Sequence, residues 1–144
     1  MTEPILITNN PLVRNKLEKS FNLEYCQVSY LELLKLVRDR IHLGYRLLTH
    51  PLSGSVKPSE TPYKTVIISK CDSFHIDSLM IIENSISTAR KLLKGGDIPN
   101  WNEKILEDFQ VIDLSLIEGV YINYSINKRI LGKFNDKGYY LLIL

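Results

Sequence analysis

His50, Ser53, Ser55 and Lys57 fall close together in the stretch His50-Pro51-Leu52-Ser53-Gly54-Ser55-Val56-Lys57-Pro58. An imidazole can hold or release a proton near neutral pH. Two hydroxyls, a lysine ammonium and a glycine that lets backbone amides approach closely would suit a phosphate or a carboxylate. The same residue types permit a second chemistry: Ser53 or Ser55 as nucleophile with His50 as base, in a small hydrolase or transferase. Neither serine lies in the Gly-x-Ser-x-Gly pattern of a nucleophile elbow. Thr49 and Tyr63, at the two shoulders of the stretch, complete its candidate ligand groups.

A second segment offers anion-binding groups of its own. Asn9-Asn10-Pro11 follows the apolar run Ile5-Leu6-Ile7-Thr8. Asparagine is a preferred N-cap and proline suits the first helical position, so a helix is expected to open at Pro11. Its start presents unpaired N–H groups and the positive end of a dipole. If the first and third strands are parallel neighbours, Asn9, Asn10 and the loop of Thr49, His50, Ser53, Gly54, Ser55, Lys57 and Tyr63 meet beyond the strand ends, where open α/β sheets bind ligands.

Other chemistry is less well supported. Cys71 and His75 could form a dyad in the same crevice, provided the strand before Cys71 runs parallel to the first. His42, His50, His75, Cys26 and Cys71 show no paired metal-ligand spacing, so no metal is expected. Dinucleotide and nucleoside triphosphate fingerprints are missing, and no cofactor is expected. Gly95-Gly96 reads as a helix stop, Trp101 as a packing residue and His42 as a solvent-facing one.

The elements that would position these groups alternate between strands and helices. Strands are expected at Ile5 to Thr8, Leu23 to Val28, Tyr45 to Thr49 and Thr65 to Ser69. Ser29 and Glu32 have the spacing of a capping box for a helix with Leu34, Val37 and Ile41 on one stripe, which Gly44 would end. A longer helix from near Asp77 repeats Ile82, Ile86, Ala89 and Leu93. Asn100 and Glu103 suggest a short helix through Asp108, then a fifth strand at Phe109 to Ile112 and a short helix after Ser115. Between Ile130 to Phe134 and Tyr139 to Leu144, Asn135-Asp136-Lys137-Gly138 signals a C-terminal β-hairpin. Its apolar last strand would pair with the main sheet or with a second subunit, as a homodimer. The expected fold is α/β: a layered, mostly parallel sheet of about five strands flanked by helices, ending in the hairpin. The loop at His50 to Lys64 holds three prolines and a glycine, which forbid a helix; apolar runs anchor both its ends, so an ordered, functional loop is expected.

The bulk numbers fit one domain over residues 1–144, with 119–144 as a variable extension. Lysine and arginine number 18 against 16 acidic residues, a net charge of +2 that gives no reason to expect nucleic acid as a partner. No apolar run reaches membrane-spanning length, and the first residues lack the pattern of a signal peptide. The two cysteines are expected reduced, and the location cytoplasmic.

The chain resembles the GrdX family, small proteins encoded with the glycine reductase system of amino-acid-fermenting anaerobes. The resemblance rests on Thr8-Asn9-Asn10-Pro11, on Leu47 to Pro58 with Glu60-Thr61-Pro62-Tyr63, and on Trp101, Glu107-Asp108-Phe109-Gln110 and Ile112-Asp113. It covers the chain to about Ile117 and leaves the tail from Val120 unmatched. It implies an anaerobic cytoplasm and the reductive Stickland fermentation of glycine, sarcosine or betaine; the expected partner is then the small anionic metabolite that the loop and turn suggest, or a reductase component. It brings no catalytic residue with it.

Overall fold

The structure is a computed structural model that describes residues 3–131. Four strands form one mixed sheet: β1 (Ile5–Thr8), β2 (Asn22–Tyr25), β3 (Tyr45–Leu47) and β4 (Thr65–Lys70), in the order β2-β1-β4-β3. Four helices cover it: α1 (Pro11–Leu17), α2 (Tyr30–His42), α3 (Ile76–Leu93) and α4 (Glu103–Leu131).

Side-chain alternation along β1 and β4 divides the core into two layers. Ile5, Ile7, Val66 and Ile68 face Leu33, Leu34, Val37 and Ile41 of α2 and Ile82, Ile86 and Ala89 of α3. Leu6 and Ile67 face the other way, onto Ile117 and Val120 of α4, with Leu17 of α1 packed alongside. All four β1 residues are buried, as expected for a strand covered on both faces.

Local signals act as the residue types require. The Asn10 side chain accepts from Leu12 N–H at the start of α1, and Ser29 caps α2 by accepting from Glu32 N–H. Gly44 follows α2 at φ +96°, and Gly96 follows α3 at φ +122°, conformations that cost glycine little.

The sheet is not mostly parallel, and it has four strands, not five. β1 pairs with β2 in parallel, but β4 runs antiparallel to both β1 and β3. A parallel step needs a crossover element to carry the chain back, and the β1–α1–β2 unit has one. No helix separates β3 from β4, so the chain turns back through the loop and lies down antiparallel. β1 and β3 therefore do point the same way, with β4 between them.

The expected fifth strand at Phe109 to Ile112 is helical. A single helix, α4, replaces the short helix, strand and short helix. Four apolar residues in a row do not distinguish strand from buried helix. Asp113, Leu114, Ile117 and Val120 decide it: they are buried at helical spacing, while Val111 and Ile112 are 51% and 38% exposed. The expected C-terminal hairpin is likewise overturned where it can be compared, because α4 runs on to Leu131 through the start of its first strand. The turn at Asn135 to Gly138 and the strand Tyr139 to Leu144 lie outside the described residues.

Candidate functional site

The mixed topology gathers the C-terminal ends of β1, β2 and β3 and the N-terminal end of β4 at one edge of the sheet. Thr8 and Thr65 are partners in the β1–β4 register there, with hydroxyls 2.7 Å apart. The Asn9-Asn10 turn leaves from this edge, and the loop after β3 leaves it and comes back to it.

The loop returns onto the asparagine turn through its last residues. Asn9 Nδ2 donates to the Pro62 carbonyl at 2.8 Å and to the Val28 carbonyl at 3.0 Å, and Asn9 Oδ1 accepts from Lys64 N–H at 2.8 Å. Asn10 Nδ2 donates to the Gln110 carbonyl and to Asp113 Oδ2, both at 3.0 Å. Both asparagine side chains are therefore spent on the fold. They tie β1, the end of the loop and α4 into one frame.

Asp113, 5% exposed on α4, closes this frame. Its Oδ1 accepts from Thr65 N–H at 3.1 Å, and its Oδ2 accepts from the Thr65 hydroxyl at 2.7 Å as well as from Asn10. Thr65 thus gives its proton to Asp113 and accepts from Thr8, whose oxygen in turn accepts from Asn10 N–H at 3.0 Å. A buried carboxylate is tolerable when donors surround it in this way.

Lys64, beside this network, is 2% exposed. Its Nζ has no hydrogen-bond partner among the described residues. Burial pushes its pKa down from 10.5 to about 8, against the attraction of Asp113, which pulls it up. Lys64 lines a cavity of about 10 Å³ together with Tyr30, Ser53, Tyr63, Phe109 and Asp113. That is room for one water-sized group. The Tyr30 hydroxyl donates to the Pro51 carbonyl at 3.0 Å, and burial raises its pKa.

Contacts within the loop and to Trp101 hold its middle and second half. Pro51, Val56, Pro58 and Thr61 are buried. Glu60 N–H and Thr61 N–H both donate to the Lys57 carbonyl, and Trp101 Nε1 donates to the Glu60 carbonyl at 2.7 Å. The Trp101 ring packs on Phe109 of α4 with centroids 5.9 Å apart.

The remaining expected site residues divide between frame and surface. Thr49 is buried, and its hydroxyl accepts from Ile67 N–H at 3.0 Å, extending the β3–β4 pairing. The Tyr63 hydroxyl accepts from Gln110 Nε2 at 3.0 Å. His50 is half-buried, with Nδ1 accepting from Leu52 N–H at 3.0 Å. Burial lowers its pKa, the Leu52 carbonyl 3.1 Å from Nδ1 opposes this by favouring a protonated nitrogen, and the Lys64 charge lowers it further. Ser53 and Ser55 hydroxyls lie 3.0 Å apart and engage each other. Gly54, Ser55 and Lys57 are exposed.

The Cys71–His75 pair does not reach this crevice. Because β4 is antiparallel, Cys71 leaves its far end, where Cys71 N–H donates to the Gly44 carbonyl. His75 caps α3, its Nδ1 accepting from Ser78 N–H at 3.2 Å.

Lys64, Asp113 and Gln110 are not among the site residues expected from the sequence. One signal was available for Asp113: it stands four residues after Phe109 and four before Ile117, a carboxylate on an otherwise apolar helical face. Lys64 carried a similar one, a lysine immediately before the run Thr65-Val66-Ile67-Ile68.

Fold and site together define a small α/β protein that encloses a lysine amine between a proline-rich loop and a polar network on the sheet edge. A family model described as "GrdX-like protein" matches residues 5–121, most of the chain, and the protein belongs to that family. Comparison with curated proteins and with solved structures gives no match. Among the described residues no helix is long and apolar enough to cross a membrane, and no three His, Cys, Asp or Glu side chains are grouped to hold a metal ion.

Proposed function

We propose that this GrdX-family protein binds a small anionic ligand through the Lys64 ammonium, beneath the His50–Lys57 loop, and acts as an accessory to glycine, sarcosine or betaine reductase metabolism. The observation that carries the binding part is Lys64 Nζ, buried and without an acceptor. A buried ammonium is costly unless an acceptor meets it, and a carboxylate or phosphate oxygen would supply one. The cavity admits only an end group of that size, so the rest of the ligand lies at the mouth, where Ser53 borders both cavity and surface. The Asn9–Asn10 turn serves this reading as scaffold: it fixes the backbone from which Lys64 projects. The metabolic part rests on family membership, and a reductase component is the macromolecular partner it implies.

Thermal unfolding in the presence of acetate, phosphate, acetyl phosphate and glycine tests the binding. A ligand at one hundred times its Kd adds about 2.7 kcal/mol of stability. A rise in Tm with one of these anions that disappears in Lys64→Met and persists in Lys57→Ala is the expected result. No rise with any of them counts against the reading.

A further inference from the structure

We infer that Lys64 also captures carbonyl compounds covalently: its Nζ condenses reversibly with a small aldehyde or 2-oxo acid to form an imine. This deepens the binding reading and rests on it. Several observations favour an amine left free to react rather than one held in a salt bridge within the fold. No described group accepts a hydrogen bond from Nζ. The nearby carboxylate of Asp113 is already taken by three donors, Thr65 N–H, the Thr65 hydroxyl and Asn10 Nδ2. The cavity walls include Val56, Phe109, Ile112 and Leu116, which solvate an ammonium poorly. A lysine desolvated in an apolar pocket is the usual form of an activated amine nucleophile.

The step balances without any further reagent. The Nζ lone pair attacks the carbonyl carbon, a C–N bond forms, and the π pair moves to oxygen, which takes a proton. The carbinolamine then expels that oxygen as water, and the two amine hydrogens are the two lost. Amine plus carbonyl gives imine plus water, and hydrolysis reverses it. The size of the cavity restricts the substrate to compounds whose carbonyl is at or next to one end. For a 2-oxo acid the carboxylate is left at the mouth, beside the paired hydroxyls of Ser53 and Ser55. The charge attraction of Asp113 that favours the Lys64 ammonium favours the protonated imine in the same way.

Reductive trapping tests this on the full chain. The protein is incubated near neutral pH with glyoxylate or pyruvate and cyanoborohydride, digested, and its lysine adducts are mapped by mass spectrometry. The lowered pKa leaves Lys64 with roughly 300-fold more free amine at neutral pH than a lysine of ordinary pKa. The expected result is an adduct concentrated on Lys64, outnumbering that on any exposed lysine, and suppressed by excess acetate. Adducts spread over surface lysines without excess at Lys64, or no adduct, overturn the inference. If acetate or phosphate still raises Tm through Lys64 while no adduct forms there, the imine fails and anion binding stands. If neither occurs, both fail. Mapping on the unsubstituted protein makes the result independent of whether Lys64→Met folds.

Discussion

Asn9 and Lys64 exchange two hydrogen bonds across the sheet edge: Asn9 N–H donates to the Lys64 carbonyl at 3.3 Å, and Lys64 N–H donates to Asn9 Oδ1 at 2.8 Å. The first continues the β1–β4 ladder by one step; the second uses a side chain in place of backbone. Together they fix the lysine's main chain at the point where the long loop ends, and leave its side chain to turn inward.

Asn9→Ala is therefore expected to act on both stability and site. Three hydrogen bonds disappear, to Val28, Pro62 and Lys64. At about 1 kcal/mol each, more where a buried group is left unpaired, the loss is about 3 kcal/mol. Urea unfolding measures it. A loss below about 1 kcal/mol would mean that the loop end is held by packing instead.

Asp113→Ala strips the acceptor from Thr65 N–H, the Thr65 hydroxyl and Asn10 Nδ2 in one change. Buried donors left unpaired cost about 1–3 kcal/mol each, so a destabilisation of about 3 kcal/mol or more is expected by calorimetry. Asp113→Asn is the finer probe. It keeps the shape but removes the negative charge that pulls the Lys64 pKa up. The Lys64 amine should then titrate below about 8, read from the pH dependence of its acylation rate. An unchanged or raised value would show that the carboxylate does not act on Lys64.

Trp101 is the only tryptophan in the chain and reports on the loop. Trp101→Phe keeps a ring against Phe109 but loses the bond to the Glu60 carbonyl. A loss of about 1 kcal/mol is expected, with faster proteolytic cleavage between Lys57 and Glu60, because that carbonyl contact ties the loop to the residues leading into α4. Cleavage at the original rate would show that the buried Val56, Pro58 and Thr61 suffice to hold the loop.

Short-range features were legible in the sequence because they depend on short-range physics. Asn10 and Ser29 cap helices with their own side chains, and Gly44 and Gly96 take up positive φ where helices end. β1 and β3 point the same way but are not neighbours, and what reaches the asparagine turn is the end of the loop, Pro62 and Lys64. Strand order was not legible, since whether β4 slots between β1 and β3 depends on how the chain covers both faces of the sheet. Nor was α4: the run Phe109 to Ile112 suits a strand when read alone, and only the spacing of Asp113, Leu114, Ile117 and Val120 reveals one continuous helix. The hydrogen bonds of Asn9 and Asn10 were hidden for the same reason: their partners Pro62, Lys64, Gln110 and Asp113 lie more than fifty residues away in sequence.

The pH dependence of stability separates Lys64 from the groups around it. Its folded pKa of about 8 lies below the ordinary 10.5, so between these values the unfolded chain binds the extra proton. Stability rises with pH wherever that holds. The penalty is present in full below pH 8 and is relieved as the pH climbs towards 10.5, by up to about 3 kcal/mol. His50, lowered by burial, adds a rise of the same sign at lower pH, around its ordinary value of 6.5. Tyr30 and Cys26 work the other way: burial raises both, so the unfolded chain loses their protons first and stability falls above about pH 9 to 10. Asp113 is the acidic group that acts on Lys64, pulling its pKa up against burial. Unfolding followed from pH 6 to 10 should thus show a rise that bends over near its upper end. Lys64→Met removes the penalty with a side chain of similar length and should raise stability at pH 7 by up to about 3 kcal/mol, flattening the rise between pH 8 and 10. A substitution that strengthens the fold while abolishing anion binding would mark Lys64 as a residue kept for what it binds, at a cost in stability. A destabilised Lys64→Met with an unaltered pH profile would show instead that the amine is held by the fold, as a structural group.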